Sequence, residues 1–164
     1  MSDPSTTQQR LMALEASPKQ IAMLISPLSQ PMLHQAPGDN EWSANEVLAH
    51  LRACADVWGK YIMTILAEDT PTIRAMSPRT WAKRTDYATL AFHLSFDAFN
   101  QQREQLLAVL RGLAGQDWGR LANVIHAAKI KRHSVATYAD MLISHEQAHV
   151  QQLERIVKIV RELG

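Results

Sequence analysis

This sequence predicts an all-α fold, a bundle of four long helices, and three observations predict it. Apolar residues recur at helical spacing in four long stretches. No stretch sustains the apolar–polar alternation of a half-buried strand, and no Asn-Gly or Asp-Gly pair marks a hairpin. All seven prolines fall at or before Pro78, so the second half of the chain is free to form long helices. With 164 residues, 46% hydrophobic and 20% charged, the expectation is a single domain over residues 1–164 with a sizeable core.

The first helix is expected from Pro4 to Ile25, interrupted where Ser17-Pro18 restarts a turn. A proline-rich connection follows, from Pro27 to Asn40. The second helix has the clearest start in the chain. Ser43 and Glu46 form a capping box, and Trp42 and Val47 stand at the two positions of a hydrophobic staple. This helix should run to about Ala67, before Pro71, and Ser77-Pro78 opens a short helical piece. The third long helix covers roughly Asp86 to Leu113, ending near Gly112 and Gly115. The fourth starts between Ser134 and Thr137, where Thr137 and Asp140 give a second capping pattern, and reaches Leu163. The connections at about 27–42 and 114–134 exceed the roughly 2–8 residues of a simple up-down bundle. Such lengths imply crossovers, or loops that cover a site.

Composition narrows the function. Seventeen basic against sixteen acidic side chains leave a net charge of +1, which argues against nucleic acid as the main partner. Residues 1–10 contain no apolar signal core, and no apolar run is long enough to span a bilayer, so a cytoplasmic protein without a membrane partner is expected. The single cysteine, Cys54, excludes an internal disulfide and a cysteine-rich zinc module. Seven histidines are many for this length, so any metal would be held mostly by imidazole and carboxylate.

Two helices direct histidines inward. In the fourth helix the apolar stripe reads Met141, Leu142, His145, His149, Leu153, Ile156, Val160, Leu163. In the second it reads Val47, His50, Leu51, Cys54, Trp58, Tyr61, Ile65. Any one of these histidines alone reads as a satisfied core residue. Three imidazoles in one core would each cost free energy if unpaired, and one divalent ion satisfies all of them while leaving positions for water or substrate. His50, His145 and His149 are therefore the candidate ligands. His34, His93, His126 and His133 do not join them. Cys54, one turn after His50, reads as a packing residue with a ligand or thiol role as the alternative. The four tryptophans read as packing residues. The basic run Lys129, Lys131, Arg132, His133 reads as a solvated loop, or as one that steers an anionic substrate.

Residues 145–149 also match His-Glu-x-x-His, in which a helix places two zinc ligands and a glutamate base. A metalloprotease is disfavoured because fifteen residues follow His149 and no sheet is expected to hold a peptide. Glu146 is the candidate catalytic base, with a solvated helix residue as its plain reading.

Several segments together carry a family resemblance. These are Trp42-Ser43-x-x-Glu46-Val47-Leu48-x-His50-Leu51, Leu66-Ala67-Glu68-Asp69-x-Pro71 with Trp81-Ala82, Asp117-Trp118, and Thr137 through His145-x-x-x-His149-x-x-Gln152. In order and spacing the chain resembles the DinB/YfiT-like proteins from about Pro18 to Val160. The resemblance implies a four-helix bundle with long crossover connections, often a homodimer. It implies a divalent metal, zinc or nickel, on the residues matching the family triad, here His50, His145 and His149. Relatives include thiol-dependent S-transferases, mycothiol-dependent isomerases and a cyclopropane-cleaving resistance protein. The expected function is therefore a metal-dependent transferase or hydrolase acting on a small electrophilic molecule, with a low-molecular-weight thiol as the co-substrate implied. The alternative is a non-catalytic stress-response protein that binds a metal or a small ligand. The segment Asn123 to His133 lacks the glycine common before the fourth helix in this family.

Overall fold

The computed structural model describes residues 4–164. Six helices and three strands follow in the order α1 (Pro4–Ile25), α2 (Gln30–Leu33), α3 (Ala44–Ala67), β1 (Thr72–Arg74), α4 (Pro78–Ala82), α5 (Phe92–Arg111), β2 (Leu121–His126), β3 (Lys129–Ser134) and α6 (Val135–Leu163). The four long helices form the bundle. Each of α1 and α3 packs against both α5 and α6, so α1 faces α3 across one diagonal and α5 faces α6 across the other. The connection from α1 to α3 and the one from α5 to α6 are thus the crossovers that their lengths implied.

Start signals explain most of the helix boundaries. Ser43 Oγ accepts from the Glu46 amide at 3.3 Å and Glu46 Oε2 accepts from the Ser43 amide at 2.8 Å, completing the expected box. Ser77 caps α4 in the same manner, accepting from the Thr80 amide at 3.1 Å. At α6 the cap is Ser134, which accepts from the Thr137 amide at 3.1 Å. Asp140 plays no capping part; it accepts two hydrogen bonds from Arg10 of α1, at 2.7 and 2.9 Å.

Three further expectations about the fold are corrected. First, α1 is not interrupted at Ser17-Pro18. Pro18 has no N–H to give the Leu14 carbonyl, which would cost an isolated helix about 3 kcal/mol. Arg103 of α5 supplies the missing donor, Nη1 lying 2.8 Å from Leu14 O. Second, α5 begins at Phe92 rather than Asp86. A 3-10 turn over Tyr87–Thr89 precedes it, and Leu90 is extended. The turn carries the Tyr87 hydroxyl to Asp56 of α3, at 2.6 Å.

Third, a small sheet exists where a loop was expected. Its order is β1-β2-β3, with β1 parallel to β2 (Thr72 beside Asn123) and β2 antiparallel to β3 (His126 beside Lys129). The basic run is strand β3. Ala127 turns the hairpin at φ 53°, a left-handed conformation usually given to Gly or Asn, so no familiar dipeptide announces it. Both α2 and the hairpin lie within the two long connections.

The interior has two apolar halves. One gathers Leu14, Ile62, Ile65, Leu110, Trp118, Val124 and Leu142. The other gathers Ile21, Leu48, Leu51, Phe99, Leu153 and Ile156. Between them every long helix contributes a buried polar group: Ser17, His50, Arg103 and Glu146. This polar waist positions the site.

Candidate metal centre

Three imidazoles meet at the waist. His50 leaves α3, and His145 and His149 leave α6 one turn apart. His50 Nε2 lies 2.8 Å from His145 Nε2, and His149 Nε2 lies 3.2 Å from the same atom. Among the described residues this is the group whose donor atoms converge, all within 4.8 Å of one another. One tetrahedral ion with bonds of ~2.0–2.1 Å would space its nitrogens by about 3.3 Å, close to these separations. Mutual hydrogen bonds serve three converging nitrogens poorly, because each lone pair needs its own proton. One cation serves all three, so the donor set fits a divalent ion.

The surroundings hold the imidazoles neutral and oriented. His149 Nδ1 donates to Gln152 Oε1 at 2.7 Å, which fixes the proton on Nδ1 and leaves the Nε2 lone pair free. His50 is 8% exposed, whereas His145 and His149 are half-buried and reachable from solvent. Burial, repulsion from the other imidazoles and the Arg79 charge lower His50 to about 4. His145 and His149 are lowered as well, chiefly by burial. Neutral imidazole is the form that binds metal. Two indoles bracket the cluster. Trp42 lies 5.2 Å from His50 and 6.3 Å from His149, ring centre to ring centre, and Trp58 lies 5.3 Å from His145. The guanidinium of Arg79 sits 5.6 Å over the Trp42 ring.

Glu146, the candidate base, is placed differently from its plain reading as a solvated residue. It is 1% exposed and forms an ion pair with Arg103, itself 3% exposed. Arg103 binds both carboxylate oxygens, with Nη1 at 3.0 Å from Oε2, while also donating to Leu14 O. The pair therefore spans the α5–α6 diagonal through the bundle centre and is tied to α1. A sheet does exist, contrary to the ground first given against a metalloprotease. The buried pair supplies a better ground, since the glutamate is held by an arginine in the core. Cys54 Sγ lies 3.7 Å from His50 Nε2 but stays outside the converging group. Burial, with the Glu146 charge adding to it, pushes its thiol up to about 12, so it packs as a neutral group.

A cavity of about 280 Å³ abuts the cluster at Trp58 and Met141. Its other walls include Tyr61, Ser77, Pro78, Lys131, His133 and Tyr138. Sequence reasoning set His126 and His133 aside, yet both line this cavity, because the unforeseen hairpin carries them there. A larger cavity, about 470 Å³, lies between α3 and α5 and contains none of the histidines. Its carboxylate, Asp56, already accepts from Trp81, Tyr87 and Gln102. His34 and His93 are exposed and away from the centre.

A family model described as the DinB superfamily matches residues 13–153. No curated protein matches the chain. Among solved structures, YfiT from Bacillus subtilis superposes with a TM-score of 0.78 at 20% identity, over 94% of this chain and 89% of that one. YfiT is described as a probable metal-dependent hydrolase with an unusual four-helix bundle topology. A mycothiol-dependent maleylpyruvate isomerase superposes with a TM-score of 0.69 at 13% identity, over 90% of this chain and 60% of that one. These similarities establish the fold.

Proposed function

The chain belongs to the DinB superfamily, and from that premise we propose that it is a metal-dependent enzyme acting on a small electrophilic molecule, as a hydrolase or a thiol-dependent transferase. The observation that carries the reading is the convergence of three imidazole Nε2 atoms at a half-buried point beside a cavity. A divalent ion held there, zinc or nickel, would supply Lewis acidity and lower the pKa of a water or thiol that joined it. His50, His145 and His149 offer three neutral nitrogens and leave room for that further ligand. Gln152 holds His149 in the tautomer that can bind. Trp42 and Trp58 shield the flanks from bulk water. Glu146 acts through Arg103 in this reading, fixing the rotation of α6 that turns both of its histidines to α3, and is not a proton carrier.

Supporting the reading, the YfiT neighbour is described as a probable metal-dependent hydrolase and the other neighbour as a mycothiol-dependent isomerase. A low-molecular-weight thiol as co-substrate is the finer form of the same proposal. The test is elemental analysis of untagged protein. Wild type should carry one divalent ion per chain and His149→Ala essentially none. Unchanged metal content in the variant would overturn the ligand assignment.

A further inference from the structure

We propose that the 280 Å³ cavity beside the histidines seats a small, largely apolar substrate with a carbonyl oxygen at the end remote from its reacting group, and that the Tyr138 hydroxyl reads that oxygen. The inference rests on the metal reading above and names the substrate class for the same site.

Two matched ladders of side chains give the cavity its direction. Along α3 the order is His50, Trp58, Tyr61, and along the facing α6 it is His145, Met141, Tyr138. Trp58, Tyr61, Met141 and Tyr138 all line the cavity. Trp58 stands 5.3 Å from His145 at the metal end, and Tyr61 meets Tyr138 at 5.4 Å at the other, ring centre to ring centre. Tyr138 lies two turns before His145 on the same face of α6, about 10 Å along the helix axis. A molecule gripped at Tyr138 therefore presents its opposite end to the histidines.

The hydroxyls at the far end are donors. Tyr138 is 2% exposed, and its hydroxyl makes no hydrogen bond among the described residues. Five polar side-chain atoms of those residues are sealed in the interior without a partner. This hydroxyl is not one of them, so it opens on the cavity that its ring lines. Burial raises its pKa, and the phenol keeps its proton to donate. Tyr61 Oη accepts from the Met76 amide at 2.8 Å, which leaves its own proton to give. The remaining wall is chiefly apolar, with Met76, Pro78 and Val124 joining Trp58 and Met141, while His126 and Lys131 are exposed at the rim. Such walls receive a carbon skeleton. A hydroxyl left unpaired among them costs free energy, so the pocket favours a ligand whose oxygen accepts over an analogue that lacks it. At ~30 Å³ for each water displaced, the volume holds about nine waters, which suits a molecule the size of acetophenone rather than a peptide or nucleotide.

The test titrates the protein as purified with acetophenone and with α-methylstyrene, the same shape with a methylene in place of the oxygen. Binding is followed on the indole N–H resonance of Trp58, a wall residue. Wild type should bind acetophenone at least three-fold more tightly than α-methylstyrene, within the range of about 2–10-fold that one neutral hydrogen bond supplies. Tyr138→Phe should abolish that preference and leave α-methylstyrene bound as before. The carbonyl stretching band of bound acetophenone should lie lower in wild type than in the variant, a readout that lost packing would not move. The variant deletes a hydroxyl without an internal partner, so its melting temperature should not fall. Equal binding of the two probes by wild type, an unmoved Trp58 resonance, an unshifted band, or a variant that keeps the preference would each overturn the proposal. A clear fall in melting temperature would also overturn it, by revealing an internal partner for the hydroxyl. Metal content of the same samples separates the two readings. Stoichiometric metal without a preference for acetophenone sinks the carbonyl seat and leaves the metal centre standing. A Tyr138-dependent preference in protein that takes up no metal sinks the metal centre and upholds the seat.

Discussion

Replacing Arg103 by Met tests whether the waist is held by its ion pair. The substitution keeps an unbranched apolar side chain at the position but leaves two groups without partners. Glu146, 1% exposed, loses the guanidinium on both its oxygens, and Leu14 O loses the donor that stands in for the N–H Pro18 lacks. Breaking a buried pair from one side costs about 3–5 kcal/mol, and an orphaned buried carbonyl about 1–3 kcal/mol. The two losses share one side chain and do not simply add, so about 4 kcal/mol is expected. At ~2–4 °C per kcal/mol for a chain of this size, the melting temperature should fall by about 8–16 °C. Urea denaturation and calorimetry of the metal-free protein measure this without interference from metal binding. The double variant Arg103→Met with Glu146→Leu removes the stranded charge and should recover to within about 2 kcal/mol of wild type, the remainder being Leu14 O. A single variant that loses less than about 1 kcal/mol, or a double variant no better than the single, would refute the reasoning.

Three further outcomes are expected. Gln152→Leu removes the acceptor on His149 Nδ1 and should weaken metal binding about 10–100-fold in a competition titration, while leaving the circular dichroism spectrum unchanged. The three imidazoles have folded-state pKa values below the usual 6.5, His50 at about 4, so the unfolded chain binds more protons between those values. Their contribution to the stability of the metal-free protein is therefore present above pH 6.5 and lost as the pH falls towards 4. The urea midpoint should drop over that window, and the drop should be smaller in His50→Gln. Ala127→Gly relieves a left-handed backbone at φ 53° and should raise stability by about 0.5–1 kcal/mol in urea denaturation, with no change in metal content.

The long helices and the meeting of the three histidines were legible because both are written in 3.6-residue periodicity. His50, His145 and His149 fall on apolar stripes, and a stripe fixes direction before any neighbour is known. The hairpin was illegible for a local reason. Strand β3 carries Lys129, Lys131 and Arg132 on exposed positions, so it has no apolar alternation, and its turn uses Ala127 where Gly or Asn would have announced it. Glu146 was misread because helical phase places it only one residue from His145, and no local signal tells that an arginine of α5 awaits it. The same arginine explains why Pro18 does not break α1. Both misreadings share one cause, a tertiary partner supplied from a distant part of the chain.

That shared partner has a consequence for how the sequence can change over time. Pro18 keeps the Leu14 carbonyl open, and Arg103 occupies it while also holding Glu146. The three positions behave as one inherited unit. A lineage that exchanged Pro18 for a residue with an N–H would return the carbonyl to its own helix, and the arginine would then answer to the glutamate alone. A lineage that first lost the arginine would strand two groups together. Substitution at Pro18 is thus the permissive first step, and related chains should more often lack the proline while keeping the arginine than the reverse.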